Sequence, residues 1–209
     1  MLKNISRSCS DSLPERSLCL GRSKKMTISR EDARLFFELF LPLLDFTNKR
    51  FNTVQCDYTF TERFEKSKGI DIKNALRVAN TLWTNDHLID EYLKQADLND
   101  ECRELISGWK RHIAGDFILE RHLKKGSVFI STDNRKVYLV NGLFSSWEEM
   151  FQYRKPPVML TATLLPWKDV IISDGLVSIT NINFGKTYSS DFKEIYLNAK
   201  RSGIIIKSL

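Results

Sequence analysis

The chain has 209 residues, of which 42% are hydrophobic, 28% charged and 11% aromatic, the composition of a folded globular protein. Nine glycines and five prolines are too few for a collagen-like or wholly disordered chain. Because no apolar run reaches about 18 residues, the sequence excludes a membrane-spanning helix, and we expect no membrane partner.

The net charge of +6 is unevenly distributed along the chain. Residues 1–30 hold seven basic and two acidic residues, a net charge of +5, so residues 31–209 carry only +1. A nucleic-acid-binding protein needs clustered cations to neutralise phosphates. The overall charge of the folded part therefore does not support nucleic-acid binding.

Residues 1–25 form a leader that has neither helical nor strand periodicity. Its longest apolar stretch, Leu18 to Leu20, is too short for a secretory signal. We interpret Met26 as the true start of the protein, and a basic tail with a targeting or docking role is the alternative. In both cases we expect a cytoplasmic protein whose main activity lies outside the leader.

The first predicted helix covers residues 33–46. Ser29 and Asp32 have the spacing of a helix start, at which the hydroxyl accepts a hydrogen bond from a free backbone amide. The stretch is apolar nearly all round, which favours burial in a core over partner binding. Pro42 lacks the amide of an interior helical bond, so it predicts a kink or a break.

Residues 48–70 have no clear pattern, and helical spacing of apolar residues returns at Asp71. Three short helices are predicted, over residues 71–83, 88–93 and 100–109. Their short polar connections favour a compact antiparallel helical cluster.

The apolar period changes from helix to strand near Gly115. The predicted strands cover residues 117–123, 128–131, 136–143, 158–165, 170–173 and 176–179. Residues 146–151 have the pattern of one capped helical turn. Asp174-Gly175 predicts a tight hairpin between the last two strands. Without helical crossovers, these strands favour an antiparallel meander or a small open barrel.

The chain ends in a predicted helix over residues 189–200, with Gly203 just beyond it. Residues 204–206 have strand composition and are expected to pair with a sheet edge. The sequence therefore predicts an α+β fold, with a helical half over residues 26–113 and an antiparallel β half with a C-terminal helix over residues 114–209. No flexible linker separates the halves, so we expect them to pack together.

Motifs for metal, nucleotide or nucleophilic chemistry do not occur in the sequence. The three histidines and four cysteines lack metal-ligand spacing, and no phosphate-binding loop or nucleophile elbow is present. We therefore expect no metal, no cofactor and no disulfide scaffold.

Carboxylate pairs give little support to a hydrolase. Glu148 and Glu149 fit a short solvated helix, and Asp133 and Asp174 fit ordinary turn positions. Asp169 and Asp174 are expected to approach one another across the predicted hairpin. Since catalytic carboxylates need not be close in sequence, a hydrolase with a dispersed site stays among the hypotheses.

The predicted ligand-binding residues lie at the junction of the two halves: Trp109, Lys110, Arg111, Arg121 and His122. Cations interleaved with aromatic rings are typical of surfaces that bind single-stranded nucleic acid. The alternative is structural, because cations in the last turn of a helix interact favourably with its dipole.

Five stretches of the sequence resemble a family of uncharacterised bacterial proteins from Firmicutes-like organisms. They are residues 30–51, 108–131 (GWKRHIAGDFILERHLKKGSVFIS), 137–151 (VYLVNGLFSSWEEMF), 164–178 (LLPWKDVIISDGLVS) and 192–209. The resemblance covers about residues 26–209 and excludes the leader. It implies no activity, cofactor or site residue.

The sequence as a whole favours a soluble, non-enzymatic binding or protein-interaction module with an unidentified protein partner. A nucleic-acid-associated protein that binds through residues 109–125 is the first alternative. A hydrolase whose residues are scattered along the chain is the second.

Overall fold

The computed structural model describes residues 26–209, so the interpretation of the leader lies outside the described residues. Seven α-helices occur in this range: α1 (Arg30–Phe51), α2 (Phe60–Glu65), α3 (Ile72–Thr84), α4 (His87–Gln95), α5 (Asp100–Gly108), α6 (Trp147–Met150) and α7 (Lys186–Arg201). The strands are β1 (Ile113–Leu123), β2 (Gly126–Ser131), β3 (Val137–Val140), β4 (Val158–Trp167), β5 (Val170–Ser173) and β6 (Ser178–Thr180). The α+β prediction is confirmed.

Helix α1 begins as the sequence predicts, with the Ser29 hydroxyl accepting a hydrogen bond from the Asp32 amide at 2.9 Å. The predicted break at Pro42 is wrong, since α1 continues through it to Phe51. Proline leaves the carbonyl four residues earlier, that of Glu38, without its helical partner, and Glu38 lies on the exposed face. Burial of the apolar faces on both sides of Pro42 holds the helix together.

The predicted strands assemble into a closed barrel. β1 pairs antiparallel with both β2 and β4, β2 pairs with β3, and β4 pairs with β5. A parallel pairing of β3 with β5, at Val140 and Ile171, closes the ring. β4 returns to lie beside β1, as in a Greek key, and the five strands form a small barrel of the OB type.

The predicted hairpin between residues 170–173 and 176–179 is wrong. β5 and β6 do not pair with each other, because both pair with β4: Leu164 to Trp167 face β5, and Met159 to Thr161 face β6. The ten residues of β4 provide enough length for both partners. The tight turn falls at Lys168-Asp169 instead, where Lys168 has a φ of 50°.

Three hydrophobic clusters hold the described residues together. The first combines α1–α5 with four residues of the β half, Leu165, Trp167, Ile172 and Leu176. The second fills the barrel, where Trp147 and Phe151 pack beside Phe129. The third lies between the outer face of β1–β3 and α7.

The C-terminal predictions are confirmed. Tyr196 and Ala199 of α7 are buried against the barrel, and Gly203 has a φ of 69°. Beyond it, Ile206 donates a hydrogen bond to the Val137 carbonyl at 2.9 Å and accepts one from the Leu139 amide at 2.9 Å. This pairing places the end of the described chain on β3.

Candidate functional site

Trp109 lies in the core rather than on the surface. Its side chain is 0% exposed, and its ring meets the rings of Phe36 and Phe40 with centroids 5.5 and 6.0 Å apart. Lys110 and Arg111 are exposed in the short 3₁₀ turn after α5, and Lys110 forms an ion pair with Asp90 at 2.7 Å. Trp109 therefore offers no stacking surface to a ligand in this conformation.

Arg121 and His122 lie near the far end of β1. Arg121 forms a bidentate ion pair with Glu120, and its guanidinium lies 4.3 Å from the centre of the Tyr196 ring. His122 Nδ1 lies 2.8 Å from the Ser127 hydroxyl, and burial lowers the pKa of this histidine, an effect that Glu148 partly opposes. Since Ser127 is 0% exposed, its hydroxyl is closed to a substrate, whereas the His122 ring is partly exposed.

The five predicted residues do not meet on one surface. Strand β1 lies between Arg111 and Arg121, and a strand rises about 3.3 Å per residue, so the two groups are roughly 30 Å apart. Acidic partners neutralise Lys110 and Arg121. The binding role of these residues stays a prediction.

The sequence interpretation of Asp174 as a turn residue misses its burial. Asp174 follows β5 and is 2% exposed. Its Oδ2 accepts a hydrogen bond from the Trp83 indole at 2.9 Å, and its Oδ1 accepts one from the Leu176 amide at 3.0 Å and a longer one from the Ser173 hydroxyl at 3.4 Å. The carboxyl thus joins the β half to α3.

Desolvation dominates the chemistry of Asp174. Removing a carboxylate from water disfavours its charged form, and burial raises the pKa of Asp174 to about 7, although the hydrogen bonds from Trp83, Leu176 and Ser173 oppose the shift. A carboxyl that titrates near neutral pH beside a cavity is a candidate for a functional group.

Asp174 borders an apolar pocket of about 330 Å³ between α1, α3 and the turn after β5. The lining residues are Phe37, Phe40, Leu41, Leu44, Phe64, Gly69, Ile70, Ile72, Ala75, Phe144, Asp174, Gly175 and Leu176. We call this cavity the Asp174 pocket. An apolar cavity with one convergent polar group is the usual form of a small-ligand site.

Three phenylalanine rings form the rim of the Asp174 pocket. Phe37 stacks on Phe64 and on Phe144, with ring centroids 5.3 and 5.6 Å apart. The outermost ring, Phe144, is 51% exposed. An exposed apolar patch is typical of a surface that contacts other molecules.

A wider groove continues from the same rim along α1. It has a volume of about 830 Å³ and shares Phe37, Leu41, Phe64, Gly69 and Phe144 with the Asp174 pocket. Two arginines and two glutamates also line it: Arg30, Arg34, Glu38 and Glu65. Because Arg34 and Glu38 are paired at 2.8 Å, the groove has no excess charge of either sign.

The sequence carries no local signal for this site. Trp83 and Asp174 are 91 residues apart, and the three rim phenylalanines come from α1, α2 and the loop after β3. Phe64 is noticed in sequence only as an aromatic residue in an unpatterned stretch. Their convergence depends on the packing of the two halves.

The described residues contain neither a cluster of metal-binding side chains nor a membrane-spanning helix. Among residues 26–209 no group of three or more His, Cys, Asp or Glu side chains is arranged to hold a metal ion. In the same range, no helix combines the length and apolar character needed to cross a membrane.

No family model, curated protein or solved structure matches this chain. The resemblance to a bacterial family therefore stays a prediction. Support for the candidate site therefore comes from its geometry alone.

Proposed function

We propose that this protein is a non-enzymatic binding module that takes an apolar group into the Asp174 pocket. The observation that carries the proposal is the pocket itself: of its thirteen lining residues, only Asp174 has a polar side chain. Such a lining gives binding energy through burial of apolar surface. It offers no pair of groups for acid–base or nucleophilic chemistry.

The exposed rim supports the same function. Phe144 stacks on Phe37 with the ring planes 3° apart, which presents a flat apolar surface at the mouth of the pocket. A ligand that enters the pocket covers this ring as well. Burial of a large side chain contributes roughly 1.5–3 kcal/mol, and a half-exposed ring leaves part of that energy for a ligand.

The position of α7 weakens the nucleic-acid hypothesis. OB-type barrels use the face of strands 2 and 3 to bind oligonucleotides. Here Tyr196 and Ala199 of α7 pack on the outer side chains of β1–β3, such as Val128 and Ile130. The Asp174 pocket is lined by residues of α1–α3 and of the loops near them, and none of these residues belongs to the α7 cluster.

Binding of a neutral hydrophobic dye tests the proposal. We expect Nile red to bind the full chain saturably, with a blue shift of its emission. Phe144→Ala removes the rim and is expected to weaken binding about tenfold, which corresponds to about 1.4 kcal/mol. Phe144 is half exposed, so the variant is expected to fold.

Phe51→Ala is the matched control, since Phe51 is 45% exposed at the far end of α1 and does not line the pocket. Its dye affinity should equal that of the wild type. Absence of saturable binding, or an equal loss in both variants, contradicts the proposed function.

A further inference from the structure

We propose that the Asp174 pocket selects hydrophobic cations, that is, small-molecule ligands that carry an ammonium or similar cationic group on an aromatic or aliphatic body. This inference rests on the proposed function and adds the chemical class of the ligand. Three features support it. The single polar side chain of the pocket is a carboxyl, its Oδ2 has one donor from another residue, and an exposed aromatic ring lies at the mouth of the pocket.

The Asp174 carboxyl is the only polar side-chain group among the residues that line the pocket. All the other lining side chains are hydrocarbon or absent, including those of Phe40, Leu44 and Ala75. A ligand that is wholly apolar leaves this carboxyl against hydrocarbon, and an anionic ligand meets a like charge. A cationic donor interacts more strongly with a buried carboxylate than a neutral donor does, because it adds charge attraction to the hydrogen bond.

Asp174 has an acceptor position available for such a group. A carboxylate has about four lone-pair sites, and in the described structure the Asp174 oxygens accept hydrogen bonds from three donors. Two of these donors, Leu176 and Ser173, lie on Oδ1. Oδ2 has the Trp83 indole as its one donor from another residue, and a carboxylate oxygen can accept two hydrogen bonds.

The exposed ring at the mouth of the pocket favours the same charge. Phe144 lines the pocket and is 51% exposed, and the face of an aromatic ring attracts a cation through its quadrupole. Phe37 and Phe40 contribute less, because Phe37 stacks on Phe64 and Phe144, and Phe40 stacks on Phe36 and Trp83. The carboxyl and the Phe144 ring thus favour a cationic ligand.

The charged groups nearby do not reverse this preference. No Lys, Arg or His lines the Asp174 pocket. His112 contacts the Trp83 ring, with centroids 5.0 Å apart, and the adjoining groove has Arg30 and Arg34 balanced by Glu38 and Glu65. Asp174 is therefore the charge that a ligand in the pocket meets.

Three ligands of equal size test the charge preference by calorimetry at pH 8. They are 3-phenylpropylammonium, the neutral alcohol 3-phenylpropan-1-ol and the anion 3-phenylpropionate. We expect the ammonium to bind at least tenfold more tightly than the alcohol and the anion to bind most weakly. The preference for the ammonium over the alcohol should decrease from pH 8 to pH 6, because protonation of Asp174 removes the negative charge. The alcohol serves as the control for changes that the charge of the ligand does not cause.

Asp174→Asn keeps the shape of the side chain and removes its charge. We expect this variant to lose the tenfold preference for the ammonium over the alcohol. Asp169→Asn, at an exposed turn position five residues earlier, is the matched control and should keep the preference. If Asp174→Asn fails to fold, the pH dependence of the wild-type preference decides the question.

The outcomes separate the two proposals. If all three ligands bind equally and Phe144→Ala weakens each of them, the binding function is supported and the preference for cations is wrong. A preference that persists in Asp174→Asn, or that does not change between pH 6 and pH 8, also overturns the inference. If none of the ligands and no dye binds, the proposed function itself is contradicted.

Discussion

Asp174 is the residue in which burial and hydrogen bonding oppose each other most directly. Its hydrogen bonds from Trp83, Leu176 and Ser173 favour the carboxylate, whereas complete burial favours the neutral acid, and burial dominates. A carboxyl whose pKa is higher in the folded state than in the unfolded state binds a proton more readily when folded. The free energy of unfolding therefore falls as pH rises from the unfolded-state pKa to the folded-state pKa of Asp174.

The first prediction concerns this pH dependence. With a folded pKa of about 7 and an ordinary value of 3.8, the stabilisation from Asp174 is fully present below about pH 4 and is lost as pH rises to about 7. Urea unfolding of the wild type and of Asp174→Asn at pH 5, 6, 7 and 8 measures the effect. We expect the difference between their unfolding free energies to change by a few kcal/mol over this range, whatever its value at pH 5.

Asp169→Asn serves as the control and should follow the wild type at every pH. Parallel pH profiles for the wild type and Asp174→Asn would contradict a folded-state pKa near 7.

At the scale of helices and strands, most positions follow from the local sequence pattern, and some are decided by tertiary packing. Apart from α2, which lies in the unpatterned stretch 48–70, the helices and strands overlap the predicted ranges because apolar periods of 3.6 and 2 depend on neighbouring residues alone. The predicted break at Pro42 and the predicted hairpin are wrong, each because a tertiary contact outweighs the local signal. Burial around Pro42 outweighs one missing hydrogen bond in α1, and the length of β4 lets it pair with both β5 and β6, so that Asp174-Gly175 does not form the hairpin.

Helix α6 shows the opposite case, in which the local signal is sufficient. Ser146 and Glu149 form the capping box that their spacing predicts, with the Ser146 amide donating to Glu149 at 2.7 Å and the Glu149 amide donating to the Ser146 hydroxyl at 3.2 Å. The box fixes the direction in which Trp147 enters the barrel, where it meets Phe129.

The second prediction follows from this cap. Ser146→Ala removes the hydroxyl acceptor and is expected to lower the free energy of unfolding by about 1 kcal/mol, measured by urea unfolding at pH 7. Ser145→Ala changes the exposed neighbouring serine and is the control, with an expected change of less than about 0.5 kcal/mol. Equal effects of the two substitutions would contradict a capping role for Ser146.

At the scale of the whole molecule, the outer face of β4 and β5 belongs to the core of the helical half. Leu165, Trp167 and Ile172 pack in the same cluster as α1, and Trp167 meets Phe36 with ring centroids 5.7 Å apart. A barrel without the helices exposes these side chains to water. The division into two domains stays a prediction. Because the two halves share one hydrophobic cluster, the stability of each depends on the other.

The third prediction is that residues 26–113 and 114–209 unfold in one transition. Trp167→Ala is expected to lower the free energy of unfolding by roughly 3–5 kcal/mol. Unfolding followed by helical circular dichroism and by tryptophan fluorescence should give coincident midpoints in both the wild type and the variant. Tyr153→Ala, at a side chain that is 92% exposed, is the control and should leave the midpoint unchanged. Separate transitions for the two signals would contradict the shared core.

The sequence by itself determined the order and type of most elements, the capped start of α1, the box of α6 and the C-terminal helix, because each depends on residues within a few positions of one another. Only the tertiary structure decided that the barrel closes, that Trp109 is buried, and that Asp174 meets Trp83 beside an apolar pocket. These features depend on which distant surfaces pack together. The aromatic and carboxyl groups of the candidate site come from separate elements, so no local pattern of residues marks the pocket they form.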